Sequence, residues 1–66
     1  MNIIYILLYD VGDGGMEISG VYSNLENAKK AIHVEEWKEH EGVKGFWEGF
    51  DPDERLWYIE AHGLQD

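Results

Sequence analysis

Carboxylates and aromatic rings are concentrated in one stretch of this 66-residue chain, EEWKEHEGVKGFWEGFDPDE at residues 35–54. The stretch holds eight of the fourteen Asp and Glu residues and four large aromatic residues, with only two lysines among them. Carboxylates at close spacing hold cations, transfer protons in catalysis, or attract a basic partner. The elements of structure that position them decide between these kinds of chemistry.

Two patterns in the sequence bear on metal binding. His33, Glu36 and His40 stand at i, i+3 and i+7, which is about one face of a helix, and imidazole with carboxylate suits zinc. The H-E-x-x-H motif of zincins is absent, and no fourth ligand is indicated. The segment DVGDGG at residues 10–15 alternates aspartate and glycine like a calcium loop, but Glu17 comes too early to close one. A hairpin turn and an exposed helix surface explain these patterns better, so we predict no metal and no cofactor.

Paired carboxylates also suit acid and base catalysis. Glu48 with Asp51, or Asp53 with Glu54, would supply such a pair. The chain has no cysteine, and its two serines fall in a predicted strand and a predicted helix cap. A domain this small rarely forms a cleft that buries a substrate. We therefore predict that the protein is not an enzyme.

The charge balance narrows the possible partners. Five basic and fourteen acidic residues give a net charge of −9. That charge repels nucleic acid and anionic lipid, and it favours a basic partner, a cation, or simple solubility. The apolar residues 3–9 are too few for a membrane span and lack the basic flank of a signal peptide. We expect a cytoplasmic protein that contacts neither membrane nor nucleic acid directly.

The first third of the chain predicts a β-hairpin. Residues 3–9 are rich in isoleucine and tyrosine and apolar on both faces, as in a central strand. The turn DVGDGG leads to a second strand at residues 16–22, in which Glu17 and Ser19 should lie opposite Ile18 and Tyr22.

A helix is predicted to follow, with Ser23 and Glu26 forming a capping box. Its apolar stripe consists of Leu25, Ala28, Ala31 and Ile32. Continuing the stripe brings Glu35, Glu36 and Glu39 into the buried positions. We therefore expect the helix either to bend near His33 or to leave the sheet in its second half, carrying the acids with Val34 and an exposed Trp37. Gly42 would end it.

Two more strands, at residues 45–50 and 55–61, are predicted to flank the turn DPDE. The whole pattern is ββαββ, an α+β fold in which residues 1–66 form a single domain with one helix on one face of a small antiparallel sheet. The uncovered side should show aromatic surface, because these residues are shared between two faces: Tyr5, Leu7, Tyr9, Trp57 and Tyr58.

The segment GVYSNLENAKKAI, residues 20–32, supports a resemblance. Together with the preceding hairpin, it resembles small, mostly uncharacterised domains of phage and bacterial genomes, in which a strand ending in G-V-[YF]-S leads into an S-x-L-E-x-A-K helix. The resemblance covers roughly residues 3–32 and carries no catalytic residues. Short acidic proteins of this kind are similar to phage proteins that inhibit host enzymes or defence systems. The resemblance thus implies a phage-encoded inhibitor in the host cytoplasm, but it leaves out the acidic second half.

These patterns predict a non-enzymatic protein that binds a basic surface of a host protein through acidic and aromatic side chains. The carboxylate spacing is comparable to that of duplex phosphates, so the surface would mimic nucleic acid. The predicted partner-binding residues are Glu35, Glu36, Trp37, Glu39, Glu41, Trp47, Glu48, Asp51, Asp53 and Glu54.

A homo-oligomeric assembly protein is the alternative. In that case the uncovered sheet face forms a symmetric homodimer through Tyr5, Tyr9 and Trp57, and the acids only keep the dimer soluble. Salt separates the two hypotheses, because acid-driven binding weakens at high ionic strength while an apolar dimer persists.

Overall fold

Residues 2–64 are described by the computed structural model. They form one five-stranded antiparallel sheet with a single short helix. The elements are β1 (Asn2–Asp10), β2 (Met16–Tyr22), α1 (Leu25–Lys30), β3 (Lys38–Glu39), β4 (Phe46–Phe50) and β5 (Leu56–Leu64). The strand order is β2-β1-β5-β4-β3. The small antiparallel α+β fold is therefore confirmed, but the protein is richer in sheet than the predicted ββαββ pattern.

The two long strands β1 and β5 lie at the centre of the sheet and pair along almost their whole length. Leu7 of β1 stands opposite Ile59 of β5, and these two side chains are 1% and 0% exposed. They centre a core cluster that also includes Ala28 of α1 and Trp57. The first strand is therefore central, as predicted, because it has a strand on each side.

One face of the sheet, which we call the helix-side face, carries this cluster. Partly buried side chains pack around it: Tyr5, Tyr9, Tyr22, Leu25, Ile32, Val34, Trp37 and Trp47. Tyr5, Tyr9 and Trp57 thus face the protein's own core, so the prediction that they form the uncovered surface is wrong. Strand alternation had placed them on one face, but it did not tell which face the helix covers.

The opposite face, which we call the open face, carries the alternate residues of the same strands. From β1 and β2 it displays Ile4, Ile6, Leu8, Met16, Ile18 and Val21, and from β4 and β5 it displays Phe46, Glu48, Phe50, Leu56, Tyr58 and Glu60. Of the residues predicted for the uncovered side, only Tyr58 lies on it.

A β-bulge in β2 places two apolar residues on the open face. Leu7 pairs with Gly20 and Leu8 with Ile18, so Ser19 has no partner across the strand pair. The extra residue shifts the alternation by one. Ile18 and Val21 therefore point to the same side, in contrast to the uninterrupted alternation predicted for this strand.

The helix is much shorter than predicted. It begins after Asn24, whose side-chain oxygen accepts a hydrogen bond from the Asn27 backbone N–H at 2.8 Å, so Asn24 rather than Ser23 is the cap. It ends at Lys30, and among the described residues no helix is long and apolar enough to cross a membrane. The β-branched residues Ile32 and Val34 follow at a spacing of two, which favours extended chain over helix.

The acids that broke the predicted helical stripe therefore do not lie on a helix. Residues 31–37 form an irregular connection that crosses the helix-side face, with Ile32, Val34 and Trp37 packed on the core. The chain then adds β3, a two-residue edge strand, beside β4.

The crossing depends on Gly49 of β4. A methyl group on this residue would lie 2.5 Å from Val34 Cγ1 and 2.9 Å from the backbone oxygen of Glu36. Both distances are too short for a real contact, and the second partner is backbone. The connection can therefore lie flat on β4 only because residue 49 has no side chain.

We predict that Gly49→Ala lowers the free energy of unfolding by about 1–3 kcal/mol, because the added methyl group overpacks the crossing. Urea denaturation monitored by tryptophan fluorescence measures this. Gly63→Ala in β5 is the matched control, since a methyl group there meets nothing within 4 Å. Equal effects of the two substitutions would contradict this account of the crossing.

Candidate acidic binding site

The structure brings three of the predicted site residues together at the outer edge of β4. Glu35 and Glu36, from the end of the connection, and Glu48, from β4, line an open groove of about 400 Å³. We call this the acidic groove, and its lining consists of Glu35, Glu36, Lys38, Glu48, Gly49, Phe50 and Leu56. The groove continues onto the open face through Glu48, Phe50 and Leu56.

Phe50 gives the groove an apolar wall. Its side chain is 60% exposed, although it is a large aromatic residue. Phe50, Leu56 and Lys38 were not among the predicted site residues. Strand alternation in FWEGF was the available signal, because it places Glu48 and Phe50 on one side.

Glu39 and Glu41 lie apart from the groove, at the turn between β3 and β4. Glu39 Oε2 accepts a hydrogen bond from the Gly45 backbone N–H at 3.2 Å, so this carboxylate helps to fix the turn. Gly42 lies in the same turn with a φ of 82° and does not end a helix as predicted. The predicted row of acids on one helix is therefore wrong.

Asp51 has a structural role in the turn between β4 and β5. Its Oδ1 accepts hydrogen bonds from the backbone N–H groups of Asp53 and Arg55, both at 2.9 Å, and its Oδ2 accepts one from Trp57 Nε1 at 2.9 Å. The Trp57 bond, followed by that from the Arg55 backbone, holds the pKa of this carboxyl below its ordinary value. The turn closes with Glu54 at a φ of 65°, the left-handed conformation of this hairpin type.

Asp53 and Glu54 are exposed at the tip of this turn. Because β4 separates this turn from the turn that carries Glu41, the acids at its two ends do not form one continuous row. The structure thus divides the ten predicted residues among a groove, two turns and the core.

The two tryptophans predicted for the site pack against the core. Trp37 is half-buried on the helix-side face, so the prediction that it is the exposed tryptophan is wrong. Its Nε1 is buried and has no hydrogen-bond partner within residues 2–64. Trp47 packs against Tyr5 with ring centroids 6.2 Å apart. A partner at the acidic groove would therefore meet Phe50 rather than these indoles.

Few of the negative charges are neutralised within the protein. In the described part of the chain, the one ion pair joins His62 Nε2 to Glu60 Oε2 at 3.3 Å, and it requires a protonated histidine. Lys38 lines the acidic groove without forming an ion pair there. The groove therefore keeps a negative field that is free to act on a partner.

The open face has its own charged residues. Burial raises the pKa of the Tyr58 hydroxyl, and the negative charges of Glu48 and Asp10 raise it further. Tyr58 pairs with Glu48 across β4 and with Leu8 across β1. The aromatic half of the open face thus lies between carboxylates.

The residues of the predicted metal-binding pattern do not form a site in the structure. His33 and Glu36 lie in the connection and His40 follows β3, so they do not share a helix face. No group of three His, Asp or Glu side chains within residues 2–64 is arranged to hold a metal ion. What the groove offers chemically is carboxylate acceptors beside an exposed ring, which suits binding of a cationic group.

Comparison with known proteins identifies a family. The family described as Domain of unknown function (DUF7336) matches residues 2–54. The match extends beyond the resemblance noted in the sequence and includes every lining residue of the acidic groove except Leu56. No curated protein and no solved structure matches the chain.

We predict that Asp51→Asn lowers stability at neutral pH, because an amide offers one acceptor oxygen and turns its N–H₂ toward Trp57. Since the pKa of Asp51 is lower in the folded protein, its ionised form stabilises the fold above its ordinary pKa. That contribution is lost as the pH falls below about 4 and through the lowered value. The difference between wild type and variant in urea midpoint should therefore shrink on acidification. Asp53→Asn in the same turn is the control, and a gap of equal size at every pH would contradict the assignment.

A paired substitution tests the two indoles. Trp57→Phe removes a hydrogen bond to Asp51, whereas Trp37→Phe removes a buried N–H that has no partner among the described residues. Keeping such an orphan group buried costs about 1–3 kcal/mol, so its removal offsets part of the lost packing at Trp37. Thermal unfolding should show Trp57→Phe to be the more destabilising change. The reverse order would mean that Trp37 Nε1 has a partner in solution.

Proposed function

This chain belongs to the family of that domain of unknown function (DUF7336), and we propose that it is a non-enzymatic binding protein that engages a basic surface of another protein. The observation that carries the proposal is the acidic groove, which Glu35, Glu36 and Glu48 line together with the exposed Phe50.

An arginine or lysine of the partner fits this groove on chemical grounds. Its charged end would donate hydrogen bonds to the carboxylates, and its aliphatic stem would cover Phe50. A guanidinium over the aromatic face adds a cation–π attraction of about 0.5–1 kcal/mol at an exposed site. Aromatic contact and charge thus act at one place.

The net charge of −9 favours the same type of partner from a distance. Like-signed charge spread over a small protein steers a basic partner toward it and raises the association rate, and salt screens this effect. The residual charge is available because ion pairing within the described residues is confined to Glu60 and His62.

In its finer form, the proposal is that of a phage-encoded inhibitor acting in the host cytoplasm. It rests on the resemblance of residues 3–32 to small phage and bacterial domains. A host protein that handles nucleic acid has a basic site of the required sign, and an acidic inhibitor would occupy it. Because the acids fall into separate groups, mimicry in this proposal concerns the local groove rather than a full row of phosphates.

A homodimer through the open face is the second candidate. The observation that favours it is the exposure of Ile18 and Val21, whose side chains are 64% and 56% exposed. In this alternative the acids keep the dimer soluble and Glu35 and Glu36 have no partner. The dimer would persist at high salt, whereas the acidic groove would lose its partner.

The double substitution Glu35→Lys with Glu36→Lys tests the proposed groove. Both residues are exposed in the connection, so the fold should tolerate the change, whereas Glu39 is left intact because it fixes the turn. With a labelled oligo-arginine peptide at low salt, stopped-flow fluorescence should show the association rate fall by about tenfold.

The matched control is Asp13→Lys with Glu26→Lys, which changes the net charge equally at exposed positions outside the groove. It should lower the rate less, and the two variants should converge at high salt. Equal association rates for both variants would mean that the overall charge of the protein, and not the groove, attracts the peptide. No binding of the peptide to wild type at low salt would refute the proposed function.

A further inference from the structure

The open face combines an apolar half with a half that also carries carboxylates. Two rows cross it in register: Phe46, Glu60, Ile6 and Val21, then Glu48, Tyr58, Leu8 and Ile18. The half formed by β1 and β2 is apolar, and the half formed by β5 and β4 alternates aromatic and acidic residues. Few soluble proteins leave such a surface without a partner.

The degree of exposure increases toward the edges of this face. Leu8 in the centre is 8% exposed, whereas Met16, Ile18 and Val21 on β2 are 47%, 64% and 56% exposed, and Phe50 on β4 is 60% exposed. Phe46 and Tyr58 stack beside the centre with ring centroids 5.2 Å apart. A ligand lying across the strands would therefore find apolar contacts from β2 to β4.

Three carboxylates lie among these contacts. Glu60 is on the central strand β5 between Phe46 and Ile6, Glu48 is on β4 beside Tyr58, and Asp10 lies at the end of β1 next to Met16. Two cationic side chains share the face, because His62 is paired with Glu60 and Lys38 of β3 stands opposite Glu48. The acidic groove continues from Glu48 around the edge of β4. A molecule covering the face thus meets apolar side chains over β1 and β2 and both aromatic and acidic side chains over β5 and β4, so it is required to present apolar groups and positive charge side by side.

We propose that the open face binds a cationic amphipathic helix of a partner protein. The inference rests on the proposed function and specifies the form of the basic partner. The apolar stripe of the helix covers Ile6, Leu8, Ile18, Val21 and Tyr58, and its flanking lysines or arginines reach Glu48, Glu60 and the acidic groove.

The dimensions fit a helix. Five strands spaced about 4.8 Å apart make a sheet about 19 Å across between its outer strands. A helix of about 13 to 15 residues has the same length. The helix-side face already shows the arrangement, because α1 lays its apolar stripe on β1 and β2 there.

A second copy of the chain fits less well. A two-fold contact would enclose two copies of Asp10, Glu48 and Glu60, against which each face offers Lys38 and the already paired His62, in a protein whose net charge is already −9. Opposed like charges in an interface cost several kcal/mol and act against such pairing. Charge complementarity therefore selects a basic ligand over a homodimer.

The test uses a labelled peptide of about 18 residues, with leucine and lysine arranged at helical period. Oligo-lysine of equal charge is the control peptide. Fluorescence anisotropy should show the helical peptide to bind wild type at least about tenfold more tightly than oligo-lysine, because apolar contacts add to the charge. Amide chemical shifts of labelled protein should change along the open face.

The variant Ile18→Thr with Val21→Thr should lower the affinity for the helical peptide by about tenfold, since two apolar contacts are weakened. Threonine keeps the β-branched shape of both residues, so the strand is retained. Ile3→Thr is the control, because Ile3 is 47% exposed but lies on the other face. It should change the affinity less than twofold.

Three results would overturn the inference. Equal binding of both peptides, with shifts confined to the acidic groove, would refute the helix and leave the proposed function standing. Binding of neither peptide at low salt would refute both. Sedimentation of wild type as a dimer that Ile18→Thr with Val21→Thr dissociates would assign the open face to a second copy.

Discussion

The fold depends on one constraint: β1 is apolar on both faces, and within residues 2–64 the helix and the connection cover only one of them. β1 and β5 bury Leu7 and Ile59 on the helix-side face with the help of α1 and the connection at residues 31–37. No element within residues 2–64 covers the other side, so Ile6, Leu8 and Tyr58 stay at the surface or close to it. The open face thus follows from where α1 and the connection pack rather than from any local property of the strands.

The way in which the helix-side face is covered also shapes the acidic groove. A single turn and a half of helix cannot reach β4, so an extended connection continues across the sheet and lays Val34 and Trp37 on it. The chain bends at Glu35, and Glu35 and Glu36 are both exposed at the edge of β4 between the packed side chains of Val34 and Trp37. Gly49 lets the backbone approach closely there. The position of the carboxylates and the packing of the core are two results of one crossing.

Much of the sheet could be predicted from the sequence, because alternation and turn residues act locally. The strands at residues 3–9, 16–22 and 45–50 and the turn DPDE lie within two residues of their observed places. The end of the helix could not be predicted in this way. Three acids in the stripe lead to the expectation of a bent or diverging helix, although the helix ends at Lys30, before any of them. The spacing of Ile32 and Val34 held that information, but a capping box followed by a helical stripe outweighed it.

The faces were harder to predict than the strands. A one-residue bulge at Ser19 reverses the direction of every later side chain in β2, and the sequence has no clear signal for it. Which face the helix covers also depends on tertiary packing. For these reasons Tyr5, Tyr9 and Trp57 were expected at the surface, while Phe50, Leu56 and Lys38 were missed.

Negative charge opposes aggregation of a protein of this size and exposed apolar surface promotes it, and together they limit what can bind. The acids repel copies of the chain and protect it from aggregation through the open face. The short edge strand β3 and the bulge in β2 also oppose aggregation, because they hinder pairing of the two sheet edges with another strand. A ligand that is only apolar would leave Glu48 and Glu60 desolvated, and one that is only basic would leave Ile18 and Val21 in water. A ligand with both properties satisfies both groups, and its binding would stabilise a fold whose small core leaves little margin.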